Sequence, residues 1–84
     1  MNIHEAAKTL RNMYNRAQHG EKVAMIHMFG IIYADEIAHI PRTDLVREAG
    51  ISATFLTEVS KGIKLAKYVE LKSRYASHFN RFRI

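Results

Sequence analysis

Cysteine and tryptophan are both absent. Without thiols the chain has no disulfide framework and no thiolate metal site, which suits a reducing compartment. Proline occurs once and glycine four times, too seldom for a collagen-like or Pro-rich linker chain. No apolar run is long enough to cross a bilayer. The longest, residues 23–34, is broken at once by Asp35 and Glu36, whereas a spanning helix needs about 20 residues. The first residues, Met-Asn-Ile-His-Glu, carry neither the basic lead nor the apolar segment of a secretory signal. There is no phosphate-cradling glycine loop and no Gly-x-Ser-x-Gly elbow. These absences lead us to expect a cytoplasmic protein that is not an enzyme, takes no cofactor or small-molecule ligand and does not enter a membrane.

What is present reads as one small helical domain over residues 1–84. At 48% hydrophobic and 25% charged residues the chain has an ordinary globular balance, which argues against intrinsic disorder. Ile3, Ala6, Leu10, Met13, Tyr14 and Ala17 recur at three- to four-residue spacing, one stripe of an amphipathic helix. Asn2 and Glu5 have the spacing of a capping box, and Gly20 is a stop signal. A second helix is expected from about 22 to 39, closed by Pro41. Residues 23–34 are apolar except for His27 and Gly30. One face (Val23, Ile26, Gly30, Tyr33, Ile37) can serve the core. The other (Met25, Met28, Phe29, Ile32) then needs further helices or a second copy of the chain. Gly30 inside this helix marks either close packing or a kink.

Charge is polarised. Residues 1–60 hold six Lys/Arg against seven Asp/Glu, net −1, whereas residues 61–84 hold seven bases against Glu70 alone, net +6. A segment so basic points to a polyanionic partner. Within it, Leu65, Tyr68, Leu71 or Lys72, Tyr75 and Phe79 stand at helical spacing, although 67–72 also reads as a short strand. The mixture of Tyr75, His78, Phe79, Arg81, Phe82 and Arg83 suits either stacking on single-stranded bases or apolar packing.

The informative stretch is 42–62. A short helix to Ala49, a turn at Gly50 and a second helix over about 52–60 fit within it, with Gly62 as the next punctuation. Two helices meeting at a steep angle need a tight turn with positive φ, hence Gly50. Leu45, Val46 and Ala49 face inward, answered by Ile51, Phe55 or Leu56, and Val59. With Leu45, Val46, Gly50, Ile51, Leu56 and Gly62 in these places, the stretch resembles the helix-turn-helix of the lambdoid phage repressor and Cro class. It departs at Val46, where that class prefers Ala, and the 40 preceding residues do not look like its single leading helix. The whole chain, with MFGIIYADE at 28–36 and LAKYVEL at 65–71, is similar to small bacterial HTH-like proteins.

The resemblance implies an all-α fold of about five helices and a sequence-specific, repressor-like transcriptional regulator. Its recognition helix at about 52–60 would enter the major groove of double-stranded DNA. Ser52, Ala53, Thr54, Thr57 and Glu58 would face base edges. Arg42, Lys61, Lys64 and Lys67 would meet phosphates. A homodimer is expected, built on Met25, Met28, Phe29 and Ile32. The competing reading is a protein-interaction module, antitoxin-like or phage-encoded, that grips its partner with helix 22–39; a small RNA-binding protein using the basic tail is a third. Glu36 and His39 have Glu-x-x-His spacing, but di-iron bundles use that motif twice with two further Glu, so no metal site is expected. His39 suits a helix C-terminus, and His27 a hydrogen-bonded core or interface position.

Overall fold

The first helix, α1 (Ile3–Asn15), begins where its cap permits. The Asn2 side chain accepts from the Glu5 N–H at 2.9 Å, and the Glu5 carboxylate accepts from the Asn2 N–H at 3.0 Å. Two otherwise orphaned donors are thereby satisfied. Ala6, Ala7, Leu10 and Met13 are buried along one face. Thr9 is buried with them and donates its hydroxyl to the Glu5 carbonyl at 2.9 Å, so burial leaves no unmet polar group. Gly20, with φ 82°, turns the chain into α2 (Lys22–Tyr33).

The computed structural model describes residues 1–82, and among these there are five α-helices and no strand. After α2 come α3 (Arg42–Ala49), a 3-10 turn (Ala53–Phe55), α4 (Leu56–Leu65), a second 3-10 turn (Ser73–Tyr75) and α5 (Ala76–Asn80). The most extensive helix contact is α2 on α4, with α1 against both α2 and α3. One cluster of buried side chains runs from Ala6 to Phe82 and draws on α1 to α5.

Expected boundaries are corrected along the chain: α1 ends at Asn15 and not at Gly20, and the second helix of the motif, α4, begins at Leu56, after a 3-10 turn, and not at 52. The second helix stops at Tyr33, well before His39. Beyond it the chain tightens into turns, with Ala38 bonded to the Asp35 carbonyl and Ile40 to that of Ile37. Residues three apart eclipse in such turns, so Ile37 and Ile40 both reach the core. His39 is therefore exposed on a turn and not at a helix C-terminus. Val23, expected in the core, is 43% exposed.

Gly62, expected to end the second helix of the motif, lies inside α4, which continues to Leu65. Its role is contact. A Cβ on Gly62 would run into the His27 carbonyl and come within 3.0 Å of the Gly30 Cα. A Cβ on Gly30 would meet the Val59 carbonyl and the Ile63 nitrogen at 2.8 Å. The two glycines let the backbones of α2 and α4 touch, which decides the question that Gly30 posed in favour of close packing.

The last segment is not one helix from 65 onward. Residues 66–72 leave α4 through a turn and an extended stretch, and only the short α5 follows. A straight helix over 65–79 would project about 20 Å from the end of α4. The bend instead returns Phe79 and Phe82 to the core, 6% and 3% exposed, with the His78 ring edge-on to both. These tail aromatics are core residues. Arg83 lies outside the described residues.

Candidate nucleic-acid interface

Gly50 closes α3 with φ 75°, its N–H bonded to the Arg47 carbonyl at 3.1 Å. This left-handed conformation costs most residues a steric penalty and glycine none. Leu45, Val46 and Ala49 are buried on α3, and Val59 on α4, with Ile51, Phe55 and Leu56 packed on the edge of the core. The Phe55 ring also tilts against Tyr14 at 5.4 Å. Two short helices joined by a tight turn are thus anchored by α1 and α2.

The end of the motif that precedes α4 is open. Ser52, Ala53, Thr54 and Thr57 are exposed. The Ser52 hydroxyl accepts from the Thr54 N–H at 3.3 Å and lies 2.9 Å from the Thr54 hydroxyl. It caps the 3-10 turn, which leaves Ala53, Thr54 and Thr57 as the outward surface. Along α4, Thr57, Lys61 and Lys64 are exposed, while Val59 and Gly62 are buried. Spacings of four and three put the first set on one face, opposite the face laid on α2.

Glu58 does not share that outward face, which corrects its expected place beside the bases. Its carboxylate lies 2.7 Å from His27 Nε2 and 3.5 Å from Lys61 Nζ, and its side chain is only 20% exposed. It points back to α2 and ties the two helices together. The hydrogen bond from His27, aided by the Lys61 charge and opposed by desolvation, holds the Glu58 carboxyl below its ordinary 4.5. A carboxylate whose folded value is depressed stabilises the fold above its unfolded value. That contribution is lost as pH falls through the lower folded value. Glu58→Gln is therefore expected to be less stable than the parent at neutral pH, and the gap should close on acidification below about 4.5. Thermal melts across pH check this; a gap that stays constant to low pH contradicts the pairing.

Arg42, at the start of α3, donates to the Ser60 hydroxyl at 3.0 Å and so spans from α3 to α4 while remaining exposed. Lys61 and Lys64 line one hollow of about 340 Å³ together with His27, Leu65 and Tyr68. Lys67 is separate from them: it lines another hollow, with Ile32, Asp35 and Ile63. The structure thus groups Lys61 and Lys64, and sets Lys67 beside an acid.

Of the four residues expected to pair two copies, Phe29 is wholly buried inside the protomer, its ring 5.3 Å from that of Tyr33. It belongs to the core, because α1 and α4 already cover that side of α2. Met25 and Met28 are half-buried and share a groove with Leu71, Tyr75 and Phe79, the chain's own C-terminal segment. Ile32 is half-buried beside Ile63 and Ala66. The protein's own helices and tail cover much of what the sequence leaves apolar on α2.

Two residues outside the expected set enter the site. His27 orients α4 through Glu58. Tyr68 stands on the hollow with Lys61 and Lys64, 82% exposed. Its signal in the sequence is the spacing 57, 61, 64, 68, which extends the exposed stripe by one turn. Among the described residues no three His, Asp or Glu side chains converge to hold a metal, and no helix is long and apolar enough to cross a membrane. No curated protein and no solved structure matches the chain. The model of the HTH-like domain family matches residues 2–72, which takes in α1 to α4 and the chain up to the second 3-10 turn. With its helix-turn-helix at α3 and α4, a fold associated with DNA binding in general, the chain belongs to the HTH-like domain family.

Proposed function

We propose that the protein is a sequence-specific, repressor-like transcriptional regulator of the phage repressor and Cro kind, acting in the cytoplasm on double-stranded DNA. The observation that carries this reading is the uncovered stripe of Thr57, Lys61 and Lys64 on α4, continuous with Ala53 and Thr54. In such motifs the N-terminal end of the second helix faces base edges while the first helix crosses the backbone. Thr54 and Thr57 then offer hydroxyls to bases or methyls to thymine, and Ala53 a methyl contact. No Arg, Asn or Gln stands at this end, so direct readout is modest and DNA shape takes a larger share. Arg42, Lys61 and Lys64 serve phosphates, with Lys67 at the margin.

Two copies would pair through what remains open on α2, at Met25, Met28 and Ile32. A two-fold dimer presents two such helices to half-sites about 34 Å apart. Sedimentation at micromolar concentration checks this, and a monomer under all conditions retires the dimer.

Selection from a random duplex pool, followed by gel shift, tests the readout. Thr54→Ala and Thr57→Ala are expected to cost about 1–3 kcal/mol at most on the selected site and little on random duplex. They should leave the salt dependence unchanged, because hydroxyls and methyls release no counterions. Variants indistinguishable from the parent on both DNAs would take α4 out of the groove.

A further inference from the structure

Beyond the duplex-reading end, the other end of α4 carries a feature that duplex readout does not use. Tyr68 is 82% exposed, well above the exposure of Leu65, Val69 and Tyr75. Among the described residues every other Tyr and Phe ring has a ring or a cation beside it: Tyr14 with Phe55, Phe29 with Tyr33, Phe79 with Phe82, and Tyr75 under Arg74. The Tyr68 ring has none among the described residues. It is not on a loose tail. Its own N–H bonds to the Leu65 carbonyl at 2.9 Å, that of Val69 to the same carbonyl at 3.2 Å, and that of Lys67 to the Lys64 carbonyl at 3.4 Å. An aromatic ring held on an ordered turn binds at low conformational cost, having two side-chain torsions to fix.

The surroundings select a ligand class. The hollow beside the ring measures about 340 Å³ and is walled by the Leu65 side chain, 41% exposed, and by the exposed Lys61 and Lys64, with His27 completing it. The Glu58 carboxylate, which reaches Lys61, is also engaged by His27. A flat apolar face flanked by two exposed lysines matches a nucleobase joined to its phosphates. A second copy of the chain on this surface would bring the same lysines face to face, which disfavours self-association there.

We propose that Tyr68, with Lys61 and Lys64, is a stacking site for an unpaired base of single-stranded DNA at the C-terminal end of α4. It rests on the reading of the α4 surface as a nucleic-acid face. It adds a second ligand form, a strand opened or unpaired beside the duplex. Stacking on one aromatic ring is tolerant of base identity, so the site contributes affinity and placement and not sequence choice.

The chain has no tryptophan, so Tyr68→Trp introduces a single reporter. Its fluorescence is expected to be quenched by oligothymidylate. Tyr68→Ala should bind oligothymidylate about tenfold or more weakly than the parent, while Tyr68→Phe stays near it. Both should melt and sediment like the parent, and any loss by Tyr68→Ala on blunt duplex should be well below its loss on oligothymidylate. Undiminished oligothymidylate binding by Tyr68→Ala overturns the site, as does an equal loss on blunt duplex. A change in sedimentation without one in DNA binding assigns the ring to a second copy instead, and tighter binding of oligouridylate assigns it to RNA. Quenching by oligothymidylate in a protein that binds no duplex removes the regulator reading and leaves this site standing. Binding of neither removes both.

Discussion

Gly62→Ala is expected to lower the melting temperature by roughly 10–20 °C, and Gly62→Val to leave little folded protein. The new Cβ meets the His27 carbonyl and the Gly30 Cα, both backbone, and neither can rotate aside. Relief requires α2 and α4 to separate, and Ile26, Phe29 and Val59, all wholly buried, then lose packing. The sign makes the test decisive. On an exposed helical position, Gly→Ala is stabilising by about 1 kcal/mol, so a raised or unchanged melt would show that the helices do not cross there. Gly30→Ala should behave like Gly62→Ala, with the same kind of backbone neighbours. Gly50→Ala is the milder control. Nothing lies within 4 Å of its added Cβ, so the cost is the left-handed strain alone, about 1–2 kcal/mol. Circular dichroism melts of the four variants place them in order.

The second large effect concerns binding. The double variant Lys61→Ala, Lys64→Ala is expected to lose affinity for selected and random duplex alike. The slope of log K against log salt should flatten by about two units, about one for each lysine that meets a phosphate. Phosphate contacts carry no sequence information, so the preference for the selected site should survive while overall binding falls. Arg42→Ala should flatten the slope by about one unit. It should also loosen α3 against α4, because it removes the bond to Ser60. Gel shifts across a salt series read both quantities. A double variant with the parent's slope would mean that the exposed face of α4 does not lie on phosphates.

Much of the fold is legible in the sequence because its signals are local. Asn2 and Glu5 meet within one turn, and Gly50 adopts the left-handed conformation that a tight turn demands whatever surrounds it. Leu45, Val46 and Ala49 are spaced so that any helix there has one apolar face. The exposed set of Ser52, Ala53, Thr54 and Thr57 follows from the same periodicity, read in reverse. What misled was context. Gly62 reads as a stop, since glycine is a poor helix former, until α2 is laid across it. The apolar character of α2 predicts that it needs covering, without saying that α1, α4 and the chain's own tail supply most of the cover.

The sequence by itself determined that the chain is helical, where α1 begins, where α3 begins and ends, and that its positive charge follows the turn motif. Each of these rests on interactions between residues a few positions apart. The tertiary structure alone decided the direction of Glu58, the burial of Phe29 and the meeting of Gly30 with Gly62. Glu58 is turned by His27, 31 residues earlier in the chain. Gly62 is placed by the backbone of α2. Periodicity tells which residues share a face of a helix. Which face meets a neighbour and which stays in water is decided by how the helices cross, and that is set by contacts between residues far apart in the chain.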